Sequence, residues 1–88
     1  MRRSIDDYPA GPDDVPPGWE DDLAPVSWAI AIADDYDDAQ PRVVLTVEEV
    51  GRPGEGYVAH LTPQVARRLR AAIADALKEI GEPKSLDL

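Results

Sequence analysis

Residues 61–80, LTPQVARRLRAAIADALKEI, read as one amphipathic helix, and the rest of the chain has to supply the surface it packs against. Val65, Leu69, Ala72, Ile73, Ala76, Leu77 and Ile80 recur at helical spacing and form one continuous apolar stripe. Thr62 fits the N-cap, because its hydroxyl can accept from an orphan N–H of the first turn. Pro63 fits the first helical position, where a missing N–H costs nothing. Gly81 and Pro83 end the helix. At 1.5 Å per residue it is about 27 Å long, enough to cross a small sheet once.

Working outward, residues 57–61 are a short strand leading into the cap, and the glycine-rich run 51–56 before it is a turn. Residues 42–50 alternate, with Val43, Leu45 and Val47 on one face and Val44, Thr46 and Glu48 on the other. Residues 26–33 do the same, with Val26, Trp28, Ile30 and Ile32 opposite Ser27, Ala29, Ala31 and Ala33. The acidic run 34–41 joins these two strands. The expected fold is α+β, a three-stranded antiparallel meander followed by one helix (β-β-β-α) over residues 26–81, with a tail at 82–88. One helix covers one face only, and the sheet keeps two open edges. A homodimer that hides a face or pairs an edge is therefore expected.

Residues 1–25 hold five prolines, two glycines and seven acids, with no period of two or 3.6. They are expected to form an acidic arm, disordered in isolation or draped in extended form over the domain. Net charge is −9, and its placement is uneven. Eleven acids face only Arg2 and Arg3 in residues 1–40, whereas seven acids balance seven bases in residues 41–88. That field repels nucleic acid and membrane surfaces and favours a basic partner. Within the arm, Trp19 stands among Asp13, Asp14, Glu20, Asp21 and Asp22. It reads either as an anchor for a basic-rimmed apolar pocket or as a side chain folded back on its own sheet.

Arg67, Arg68 and Arg70 lie off the apolar stripe, in the half of the helix whose dipole disfavours positive charge. They are either a solvated flank or a basic stripe that holds an acidic segment, a sister chain or a phosphate.

Catalytic and metal chemistry find little support in the residues. Without cysteine there is no disulfide, thiolate metal site or thiol nucleophile. Asp34, Asp35, Asp37 and Asp38 invite a calcium loop, but Gln40 and Thr46 fall where that loop needs glycine and a bidentate glutamate. His60 is the single histidine, expected to face solvent or a dimer partner. No nucleophile elbow or phosphate loop surrounds Ser4, Ser27, Ser85 or Gly51, Gly54 and Gly56. The expectation is a non-enzymatic protein with no cofactor. No apolar stretch approaches the roughly 20 residues of a membrane span, and a soluble, unprocessed, cytoplasmic chain is expected.

Residues 57–81 look like the start of a ribbon-helix-helix repressor, but the second helix that family needs has no counterpart in EPKSLDL. The run Leu61, Thr62, Pro63 with Ala66, Arg67, Arg68 and Leu69 resembles the ends of small uncharacterised strand-then-helix proteins of actinobacteria and their phages. That likeness implies a source and no role.

Together these readings point to a small acidic regulatory or inhibitory protein that acts by protein–protein binding, its arm directed at a basic surface. A more particular form is a phage-type DNA mimic acting on a host nucleic-acid-binding protein. The alternatives are nucleic-acid binding through the helix arginines, with the arm as internal competitor, and a structural subunit of a larger assembly.

Overall fold

The computed structural model describes residues 1–81, so the tail at 82–88 lies outside the described residues. Four strands form one antiparallel sheet in the order of the chain: β1 (Arg2–Tyr8), β2 (Val26–Ala33), β3 (Arg42–Glu49) and β4 (Tyr57–Leu61). The helix α1 (Pro63–Glu79) follows. The α+β class and the meander stand as expected, but with four strands and not three.

The added strand corrects the reading of residues 1–25 as an acidic arm, disordered in isolation or draped in extended form over the domain, because residues 2–8 belong to the sheet. β1 pairs with β2 from Arg2↔Ala33 to Tyr8↔Trp28, with a bulge between Ser4 and Asp6. All seven of its residues are exposed, so no burial alternation marks it in the sequence. Backbone hydrogen bonds to β2 hold it, and these leave no trace in side-chain pattern. Beyond β1 the chain forms a 3-10 turn at Pro12–Asp14.

Pairing registers sort the side chains into two faces. One carries cross-strand rows Arg3, Ile32, Val43, Leu61, then Asp6, Ile30, Leu45, Ala59, then Tyr8, Trp28, Val47, Tyr57, with Val26 beside Glu49 at the end. Tyr8 and Trp28 stack there with ring centroids 5.7 Å apart. The other face is small and polar: Ser4, Ala31, Val44 and His60 in one row, Asp7, Ala29, Thr46 and Val58 in the next.

Tyr36, from the loop between β2 and β3, lies against the corner of this second face. Its hydroxyl and His60 Nδ1 share a hydrogen bond at 2.8 Å, and the Arg42 guanidinium sits 4.7 Å from its ring centroid. Ala33 and Val44, the register partners of Arg42 and His60, are 2% and 3% exposed.

The turn from β3 to β4 requires a glycine at one point. A Cβ on Gly56 would stand 2.4 Å from the Val47 carbonyl oxygen, a distance no methyl group tolerates.

The helix starts and stops as its sequence dictates. Thr62 Oγ1 accepts from Val65 N at 3.3 Å, Pro63 is the first helical residue, and Gly81 takes a left-handed φ of 86° just beyond the end. Its packing departs from expectation. No residue of α1 is buried, and Ile73 remains 54% exposed. A groove of about 470 Å³ separates helix from sheet, with Ile30, Val43 and Leu61 on one wall and Leu69, Ile73 and Leu77 on the other.

Ala66, Arg70 and Ala74 also line that groove, so the side of α1 toward the sheet is turned from the centre of the apolar stripe by roughly 65° at 3.6 residues per turn. Val65, Ala72 and Ala76 therefore lie away from the protomer's own sheet, and the C-cap residue Ile80 lies at the border, 74% exposed. Among the described residues only Val15, Ala33 and Val44 are buried apolar side chains.

Candidate functional site

The first part of the acidic segment between β1 and β2 is held by three hydrogen bonds. Tyr8 Oη donates to Asp14 Oδ1 at 2.7 Å, Gly11 N donates to Asp14 Oδ2 at 2.9 Å, and Ala10 N donates to Ser27 Oγ at 2.9 Å. The Gly11 N–H and then the Tyr8 hydroxyl hold the Asp14 carboxyl below the usual range, and the same carboxylate raises the Tyr8 phenol. Asp14 is thus committed inside the chain, where it ties the 3-10 turn to the end of β1. Asp13 beside it remains exposed.

Trp19 stands at the top of the next bend. Its N–H donates to Pro16 O at 3.1 Å, and its carbonyl accepts from Asp22 N at 3.0 Å and Leu23 N at 2.9 Å. Gly18, with φ 89°, supplies the left-handed residue that this bend needs. The backbone is fixed by these bonds, and Trp19 as a residue is 53% exposed. Glu20, Asp21 and Asp22 are all exposed around it. Backbone N–H groups of Glu20 itself and of Gly18 hold the Glu20 carboxyl below its ordinary value. Among the described residues none of Asp13, Glu20, Asp21 and Asp22 is in an ion pair. The resulting surface is an aromatic knob in an uncompensated negative field.

The arginines form a separate group. Arg67, Arg68 and Arg70 are exposed on α1, and among the described residues none of them pairs with an acid. Arg70 borders the groove between helix and sheet. β1, which begins the acidic half of the chain, lies at the opposite edge of the sheet from β4, the strand that feeds the helix. The nine residues singled out in the sequence thus fall into two groups, a loop cluster and a helix cluster.

Two of the four aspartates of the β2–β3 loop, Asp34 and Asp38, are engaged with cations of the chain itself. Arg42 Nη1 and Nη2 donate to Asp38 Oδ1 and Oδ2 at 3.0 and 2.8 Å, and Gln40 N donates to Oδ1 at 3.0 Å. This fork, with the Gln40 N–H, holds the Asp38 carboxyl at about 2. The Met1 ammonium donates to Asp34. Among the described residues no three His, Asp or Glu side chains converge as a metal site requires. No described helix is long and apolar enough to cross a membrane.

Periodicity placed Trp28 and Val47 on one face of their strands but did not find Tyr8 and Tyr57, which extend their row. Tyr8, Trp28, Val47 and Tyr57 share one row of the sheet beyond the groove-lining Ile30, Val43 and Leu61, and Tyr57 is 80% exposed. Tyr8 was hidden in the unpatterned segment, and only its pairing with Trp28 places it there. No family model, curated protein or solved structure matches this chain.

Proposed function

We propose that this chain is a non-enzymatic regulatory or inhibitory protein whose acidic loop docks on a basic-rimmed apolar pocket of another protein. One observation carries the reading: Trp19 is held by three backbone hydrogen bonds yet leaves half its surface to solvent, amid acids that have no cation of their own. A tryptophan on a fixed backbone loses little entropy on docking and brings a large apolar area, the profile of a binding hot spot. Asp13, Glu20, Asp21 and Asp22 supply long-range attraction to a basic rim and raise the encounter rate. Asp14 shapes the loop from within.

The test uses the full chain as bait in extract of its source, beside Trp19→Ala and the pair Asp21→Asn with Asp22→Asn. A partner retained at about 50 mM salt, released toward about 500 mM and lost with Trp19→Ala supports the reading. The indole should contribute at least about 2 kcal/mol, roughly 30-fold in affinity. Capture indifferent to Trp19 overturns it.

A second reading is favoured by the order of the acidic segment. A DNA mimic needs carboxylates held in place, and here Asp6 and Asp7 stand on a paired strand while Asp14 is hydrogen-bonded on both oxygens. In that form the captured protein binds nucleic acid, and duplex DNA displaces the chain from it.

A further inference from the structure

The helix and sheet of one protomer leave much apolar surface unmatched, and the amount is informative. A folded 9.6 kDa chain is expected to expose about 5,100 Å², whereas this one exposes 7311 Å². If residues 82–88 are assigned the full surface of an unfolded chain, about 1,100 Å², an excess of about 1,100 Å² still remains. A standard interface takes about 800 Å² from each partner, and permanent homodimers take more.

We infer that the excess is the contact surface for a second copy of this chain, related by a two-fold axis, with each helix lying on the other protomer's sheet. The chain carries both halves of such a contact. One half is the outward part of the stripe, Val65, Ala72 and Ala76, with Leu69, Ile73 and the C-cap residue Ile80 at its border. The other is the uncovered end of the helix-side face, where Tyr8, Trp28, Val47 and Tyr57 form a row. A two-fold axis uses each half twice, as an isologous interface must. The second helix also closes the groove that a single helix leaves open above Ile30, Val43 and Leu61.

Charge placement agrees with this pairing. Arg68 flanks the outward part of the stripe about 60° from its centre at 3.6 residues per turn, whereas Arg70 borders the groove on the protomer's own side. Asp6 and Glu49 lie on the same sheet face as Trp28. Arg68 at the rim of each helix therefore faces Asp6 of the other protomer's sheet, an acid without an ion-pair partner among the described residues, whereas Glu49 already pairs with Arg52 at 3.2 Å.

The alternatives within a dimer are poorer. β1 carries a bulge and four charged residues, and β4 is five residues long, so neither edge is built to pair with a copy of itself. The second face is polar, and Tyr36 already lies against its corner. Neither half of the contact as argued uses Trp19, so variants at Trp19 test the docking role of the acidic loop and variants at Tyr57 and Ala76 test the dimer.

Sedimentation equilibrium of the full chain at about 100 µM is the first measurement, with a mass twice the protomer's expected. The second mixes isotope-labelled and unlabelled chains and reads intermolecular NOEs. Contacts from Ala76 and Ile80 methyls to Trp28 and Tyr57 rings of the other copy are expected. Tyr57→Lys and Ala76→Glu alter side chains exposed in the protomer and should each weaken the dimer at least tenfold. Should either variant unfold, the wild-type NOEs decide. A monomer at that concentration overturns the inference, as does a dimer whose NOEs run through the Ala29–Ala31–Ala33 face or a strand edge.

Discussion

Asp38 shows how one carboxylate fixes a loop that looks fluid in sequence. In DDYDDAQP it reads as one of four equivalent acids, yet only Asp38 receives the Arg42 fork, because Arg42 begins β3 four residues later and its guanidinium also packs on the Tyr36 ring. Its folded pKa lies below the ordinary 3.8, so the stabilisation that the pair provides is present above about pH 4 and is lost as pH falls through about 2. The pair is exposed to solvent, so salt screens it and its effect is confined to the loop. A carbon-detected titration should place the Asp38 midpoint near 2, and Arg42→Gln should return it toward 3.8. A wild-type midpoint already near 3.8 would mean that the fork is not formed in solution.

At the scale of elements, legibility followed burial. β2 and β3 were readable because each alternates between two faces, β4 because it lies between the glycine-rich turn 51–56 and the helix cap, and α1 because Thr62, Pro63 and Gly81 bracket a helical stripe. β1 was not, since RRSIDDY buries nothing on either side. Trp19 was legible as a residue type, but the left-handed bend at Gly18 that precedes it is not specified by composition.

β1 also bears on how the loop is tested. Deleting residues 1–24 to expose the helix arginines would remove a strand and leave β2 as a raw edge, so single substitutions are the sounder probe. Hydrogen exchange checks the strand directly. An edge strand turns alternate N–H groups toward its neighbour, so slow and fast amides should alternate along Arg2–Tyr8, with a break at the bulge by Ile5. Uniformly fast exchange across residues 1–24 would return this segment to an unpaired arm.

On the scale of the whole molecule, the two proposed surfaces respond to salt in opposite directions. Two chains of charge −9 repel, and that repulsion opposes a dimer whose attraction is mainly apolar. Screening reduces the repulsion more than it reduces the few arginine–acid contacts at the rim, because the Debye length shrinks from about 30 Å at 0.01 M to about 3 Å at 1 M. Docking of the acidic loop on a basic surface runs the other way, since screening removes the attraction that brings the partners together. Raising salt should therefore strengthen self-association while it weakens partner capture. Thermal unfolding provides a further readout, because a fold completed by its partner has a midpoint that rises with protein concentration. Salt titrations of self-association by sedimentation and of partner binding by calorimetry check the signs. Self-association that weakens steeply with salt would mean that charge pairs, and not the helix stripe and the Trp28 row, hold the two copies together.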